Sequence, residues 1–343
     1  MQQRPSTVAI WWHAFRFHFV PPSFLPAILG GVIAWATTRI FHPGYFIATV
    51  VGVTINHIAL NMTDDYYDYQ HAVDQMNNRE RNPYSGGSGT LTNGLIKPRQ
   101  MFWAFMIGYL ITIIIGLYLT VMRGWIVFAF GIFGIWCAYF YTAPPIRYGY
   151  HSLGELSQLV NFSFTIGMGS FFVQCQCFSW EPFGAILPLG FMMFSMITIN
   201  EIPDEQNDRQ SGKRNLVVIF GKQKAVWLYG ISMLIAYLII VYLPLQGLTS
   251  YWIYLSLITF PWFIKAFLIL YRNLREPLEM SPANLLTIRI HNFTGILLIV
   301  AYMLQGIQKN HDTQHIWPPL VMLILLYFPV ALPIFFNRKL GLS

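Results

Sequence analysis

Apolar runs of about twenty residues recur along nearly the whole chain, and they restrict its fold more than any other feature. They fall near 24–38, from 45 into an acidic stretch, and near 101–121, 125–142, 156–177, 183–201, 224–245, 250–271, 285–307 and 317–336. A helix needs about 20 apolar residues to cross a hydrocarbon layer of roughly 30 Å. Inside that layer a spanning segment must satisfy its own backbone hydrogen bonds, which leaves helices and closed barrels. Barrels show short segments of alternating polarity, not long continuous ones. Only 10% of the residues are charged, against roughly 25% in soluble domains, and no stretch is left over for a soluble domain. The expected fold class is therefore all-α: a polytopic membrane helical bundle of nine or ten transmembrane helices, forming a single domain over 1–343. Its central cavity is expected to open to the cytoplasmic side.

Residues 6–20, with Trp and Phe around His13, Arg16 and His18 before Pro21-Pro22, read as an interfacial helix. The last apolar run makes 309–343 a candidate extra C-terminal helix. No removable signal peptide is expected at the N-terminus. Cys137, Cys175 and Cys177 lie in apolar context and are expected to pack. The net charge of +7 suits orientation and contact with anionic lipid rather than nucleic acid. With ten spans, sixteen Lys and Arg residues fall on the side holding the N-terminus and C-terminus, and only Arg39, Arg123 and Lys309 on the other. Cytoplasmic loops carry the Lys/Arg excess, so the richer side is the cytoplasmic one.

Two acidic stretches end spans on that side. In the first, Asn61-Met-Thr-Asp-Asp-Tyr-Tyr-Asp68, a helix would put His57, Asn61, Asp65 and Asp68 on one face, with Asp64 beside them. In the second, Asn200, Asp204 and Asp208 share a face if the helix continues through Pro203. Carboxylates bordering hydrocarbon point to a cation, a partner or a water-filled cavity. Mg2+ takes oxygen ligands and commonly joins one or two carboxylates to substrate phosphates, so two facing ends suit a metal-bound diphosphate. The pair also suggests an internal duplication of helical halves. Lys213 and Arg214, together with Arg79 or Arg81, are close enough in sequence to bind phosphate oxygens. The membrane setting adds room for a polyisoprenoid tail, and the 28 Phe, 19 Tyr and 11 Trp offer faces that stabilise an allylic cation.

The segments NMTDDYYDY and NEIPDEQNDRQSGKRNLVVIFG resemble the two Asp-rich motifs of the UbiA superfamily of intramembrane prenyltransferases. With SGGSGTLTNGLI and YTAPPIRYGYHSLGEL, the likeness is greatest to the branch that prenylates 1,4-dihydroxy-2-naphthoate in menaquinone synthesis. It covers roughly residues 10–300. The resemblance implies that Asn61, Asp65 and Asp68 hold Mg2+ from one side and Asp204 and Asp208 from the other, supported by Asn200. On this reading Asp65, Asp68, Asp204 and Asp208 are catalytic. Asp64, a further candidate metal ligand, stands where these enzymes commonly have Asn, and the tenth apolar run exceeds their usual nine spans. The implied reaction moves the prenyl group of an all-trans polyprenyl diphosphate to an aromatic acceptor, with loss of CO2 and a proton if the acceptor is dihydroxynaphthoate. It also implies a bacterial or archaeal cell membrane.

Arg147 suits an acceptor carboxylate or a cytoplasmic anchor, Tyr139 and Tyr141 an acceptor contact or an interfacial position, and His57 a base or a core histidine. His71 and Asp74 either extend the metal site or are solvated. Gly86, Gly87 and Gly89 suit a lid or a flexible linkage, and Glu155 complements a helix N-terminus. Other acceptors (hydroxybenzoate, homogentisate, a porphyrin, a glycerol phosphate) and a prenyl diphosphate cyclase share the Asp motifs. A transporter or lipid-binding protein is the rival of another class, but transporters place their ionisable residues near the bilayer midplane.

Overall fold

The computed structural model describes residues 6–71, 82, 84–309 and 318. All regular structure among them is helical. In chain order the helices are α1 (Thr7–Ala14), α2 (Pro21–Thr38), α3 (Pro43–Gln70), α4 (Pro98–Arg123), α5 (Trp125–Tyr139) and α6 (Gly154–Cys175). They continue as α7 (Trp180–Glu201), α8 (Glu205–Gln210), α9 (Leu216–Phe220), α10 (Lys222–Leu245), α11 (Tyr251–Arg272) and α12 (Pro277–Lys309). Seven of them, α3, α4, α6, α7, α10, α11 and α12, are long and apolar enough to cross a membrane. The shorter α2 and α5 lie within the same bundle. Apart from Pro318, the tenth apolar run, and with it the possible C-terminal helix, lies outside the described residues.

The most buried element is α2, with every residue from Pro21 to Ala36 inside the protein. It packs against α3, α6, α7 and α12. Small residues make that approach possible: a Cβ added at Gly30 would stand 2.2 Å from the carbonyl oxygen of Gly167 on α6. Ser170 of α6 donates to Ala27 O at 2.6 Å across the same contact. By contrast, α4 and α5 expose large apolar side chains such as Leu110, Ile114, Val121, Trp125 and Ile132, as lipid-facing helices do.

Several sequence expectations change in detail. Residues 6–20 are not one helix: α1 stops at Ala14, Arg16 takes a left-handed backbone (φ 51°), and Phe17–Phe19 form a single tight turn. The last long span starts at Pro277, earlier than the apolar run suggests, because its first turns are polar but still helical. Cys137 is buried as expected, whereas Cys175 and Cys177 pair as a disulfide at the end of α6.

Candidate active site

The 28 residues of α3 extend about 42 Å at 1.5 Å per residue, more than the roughly 30 Å hydrocarbon thickness. Its last turns therefore reach the membrane boundary, and these turns carry the first acidic motif. The second motif follows the end of α7. Both line one cavity of about 870 Å³. Asn61, Asp64 and Asp68 come from α3, and Asn200, Asp204 and Asp208 from the α7–α8 region. Phe19, Phe162, Met193, Met196 and Ile197 supply apolar lining. Phe162 lies on a widened, π-type stretch of α6, Asn161–Met168, a distortion that is frequent at functional sites.

The helical continuation through Pro203 does not occur. The chain turns at Ile202–Asp204 and resumes as α8, since proline cannot extend the hydrogen-bond ladder. Asn200, Asp204 and Asp208 nevertheless reach the same cavity. The face of α3 also differs: His57, Asn61, Asp64 and Asp68 line the cavity. Asp65, 100° further round, is buried and accepts from the Ser88 backbone N–H at 2.9 Å. Asp64, a candidate ligand off the face that the spacing favoured, thus lines the cavity, and Asp65 anchors a loop.

That loop is the glycine-rich segment. Ser88 N–H holds Asp65 of the first motif, and the Ser85 hydroxyl donates to Asp204 of the second at 3.2 Å. Gly86 lines the cavity with a left-handed backbone (φ 68°), which glycine adopts without steric penalty. The loop is a bridge between the motifs rather than a flexible linkage. Its start is held by the buried Asn82, which donates to Asn284 of α12 at 3.0 Å, while Asn284 donates to Asn200 at 2.9 Å.

Among the described residues, two cations line the cavity. Lys213 Nζ is 3.9 Å from Asp208 Oδ1. Its burial disfavours the charged form, but the carboxylates of Asp208 and Asp68 outweigh this and hold its pKa well above the ordinary lysine value. The second cation, Arg16, was not among the residues the sequence nominated for this site. It stands 3.8 Å from Asp65 and 4.8 Å from the centroid of Phe19. Asn61 donates to Phe15 O at 3.2 Å, fixing the segment that carries it.

The remaining candidates divide. Tyr141 is buried on the cavity wall. His57 also lines it and is paired through Nδ1 with Ser23 Oγ. Tyr139 is hydrogen-bonded to Tyr67 at 3.1 Å and does not line the cavity. Arg147 is half-buried outside the cavity. Arg214 is exposed, and its backbone N–H donates to Tyr150 O at 3.0 Å, so the turn aims Lys213 inward and Arg214 outward. Arg79, Arg81 and Asp74 lie outside the described residues. His71 caps α3, its ring bonding Tyr67 O at 2.6 Å.

Three further residues brace the site. Tyr150 donates to Asp68 Oδ1 at 2.6 Å, and burial followed by the Asp68 charge raises its pKa, keeping it a neutral donor. Asn215 donates to Asp208 Oδ2 at 2.7 Å. Glu155, expected only to complement its helix N-terminus, is fully buried and accepts from Leu216 N–H at 2.7 Å. Among the described residues no three His, Cys, Asp or Glu side chains form a metal cage on their own. The donor set on the two walls is instead that of a hard cation which completes its shell with phosphate oxygens and water.

The site is thus a cavity of carboxylates and cations with apolar lining, inside a bundle of helices long and apolar enough to cross a membrane. Residues 23–288 match the UbiA prenyltransferase family, and the chain belongs to that family. It is 25% identical to the 1,4-dihydroxy-2-naphthoate octaprenyltransferase of Bacillus subtilis over 88% of this chain and 94% of that protein. The Escherichia coli enzyme of the same name is also 25% identical, over 88% of this chain and 98% of its own. Among solved structures, a UbiA homologue from Aeropyrum pernix superposes with a TM-score of 0.60 at 14% identity, covering 82% of this chain and 97% of that one. One from Archaeoglobus fulgidus, bound to DMAPP and Mg2+, gives 0.59 at 14%, covering 86% and 98%. At such identity the likeness is one of fold.

Proposed function

We propose that the protein transfers the polyprenyl group of an all-trans polyprenyl diphosphate to 1,4-dihydroxy-2-naphthoate in a Mg2+-dependent reaction of menaquinone biosynthesis, at a site open to the cytoplasm. The observation that carries this reading is the cavity shared by the two acidic motifs, lined by cations and by apolar side chains as well. The naphthoate acceptor is supported by the named relatives in Bacillus subtilis and Escherichia coli.

Asn61, Asp64 and Asp68 would hold divalent cations from one wall and Asn200, Asp204 and Asp208 from the other. The chemistry supplied by the bound cations is neutralisation of the diphosphate as it takes up negative charge. Arg16 and Lys213 add charge-assisted hydrogen bonds to its oxygens. The C1–O bond breaks with its electron pair going to diphosphate. The ring carbon bearing the carboxylate bonds to C1, and the bond to that carboxylate then breaks, returning its pair to the ring and releasing CO2. Phe19 and Phe162 keep water from the electron-poor C1, and the Tyr141 hydroxyl orients the acceptor.

The test supplies purified protein in nanodiscs with radiolabelled geranylgeranyl or longer diphosphate and dihydroxynaphthoate, in Mg2+ or in EDTA. Prenylated, decarboxylated product is expected only with Mg2+. Diphosphate consumption that leaves the naphthoate untouched would replace the acceptor, and no consumption with any acceptor would remove the transferase reading. In the same assay Arg16→Ala is expected to raise KM for the prenyl diphosphate about tenfold or more, the scale of a hydrogen bond to a charged group, with Arg16→Lys recovering part of the loss. An unchanged KM would take Arg16 out of the binding site.

A further inference from the structure

A second cleft, of about 740 Å³, lies on the outside of the bundle between the start of α10 and the end of α11. It shares no lining residue with the candidate active site. Lys222, Lys224, Arg272 and Arg275 line it, with Glu205 and Glu276 as its carboxylates. Glu205 is taken up by Arg209 at 2.7 Å, so the cleft keeps a positive excess.

Tyr271 lines the cleft beside Arg272, and its ring meets that of Trp227, one turn beyond Lys224 on α10, at 6.2 Å, each 54% exposed. Beyond them Ile231 and Leu234 of α10 and Ile264 and Leu268 of α11 are exposed in turn. Cations, then amphipathic rings, then bare apolar side chains follow the profile of a phospholipid from phosphate through interface to acyl chain. A soluble phosphate would use only the first of these layers.

We propose that this cleft binds the phosphate headgroup of an anionic phospholipid whose acyl chains lie along the exposed surface of α10 and α11. Its occupant sits against α8, the short helix that presents Glu205 and Arg209 to the outside and Asp208 to the cavity.

The experiment places the protein in nanodiscs of phosphatidylcholine alone or with an equal part of phosphatidylglycerol, and reads retained lipid by native mass spectrometry. Lys222→Gln with Arg275→Gln is compared with Lys97→Gln and Arg99→Gln, an exposed pair at the start of α4. Wild type and the α4 variant are expected to retain phosphatidylglycerol, and the cleft variant to lose it by about tenfold or more. Equal retention in the cleft variant, equal loss in the α4 variant, or displacement of the lipid by inorganic phosphate would each overturn the proposal. Should the cleft variant melt early, quenching by phosphatidylglycerol with brominated chains decides instead. The expected result is quenching that weakens in Trp227→Phe, and undiminished quenching in that variant overturns the site.

Discussion

Asp68→Ala and Asp208→Ala are each expected to lower the rate of prenyl transfer by about 10²–10³-fold or more, the scale seen when one preorganised electrostatic contact to a transition state is removed. The two residues come from different acidic motifs that line one cavity, so each deletion leaves the other motif and the cavity's cations in place. Asp208 also accepts from Asn215 at 2.7 Å and faces Lys213 at 3.9 Å; alanine therefore removes a structural partner together with a charge. Asp208→Asn separates these effects, because it keeps the shape and loses the charge. Initial rates at saturating Mg2+, with melting curves in the same detergent, are the measurement. Either alanine variant retaining a rate within a few-fold of wild type would remove the two-walled site.

Gly30→Val is expected to prevent accumulation of folded protein. The added Cβ would stand 2.2 Å from Gly167 O, 3.0 Å from Phe171 N and 3.1 Å from Ser170 Cβ. The two nearest of these are backbone atoms, which cannot rotate aside as a side chain can. Close helix approach through small residues is a general route to membrane helix packing. Forcing α2 away from α6 would disturb the helix that packs on α3, α6, α7 and α12 together. Overpacking costs about 1–3 kcal/mol where side chains can adjust, and more is expected here. Gly44→Ala, at a position with nothing within 4 Å, is the comparison. Equal yield and melting temperature for Gly30→Val and wild type would show that the contact is not tight.

Much of the site was legible before any fold was known. Charge is disfavoured at the edge of hydrocarbon, so the carboxylates of Asp64, Asp65, Asp68, Asp204 and Asp208 stood out against apolar surroundings, and both acidic motifs line the same cavity. Helical period put Asp65 on the shared face of α3 and Asp64 beside it, both as candidate ligands, whereas Asp64 lines the cavity and Asp65 does not. One residue is 100° of rotation, and spacing alone does not say which side of a helix its neighbours occupy. Arg16 was legible only as a charge among aromatic residues, because its approach to Asp65 depends on a break after α1. The chain of Asn82, Asn284 and Asn200 joins three elements by side-chain hydrogen bonds, and such bonds leave no periodic trace.

The amino-acid sequence by itself determined that this protein is a helical bundle in a membrane and that two of its helix ends are acidic. Both follow from the solvent: hydrocarbon accepts neither unpaired backbone groups nor unaccompanied charge, and every residue answers to that rule alone. Only the tertiary structure decided that Arg16 and Lys213 line the cavity, that Arg214 and Arg147 do not, and that the glycine-rich loop ties the two motifs together. Those outcomes depend on how helices are rotated and where turns aim their side chains, and rotation is set by packing between residues far apart in the chain.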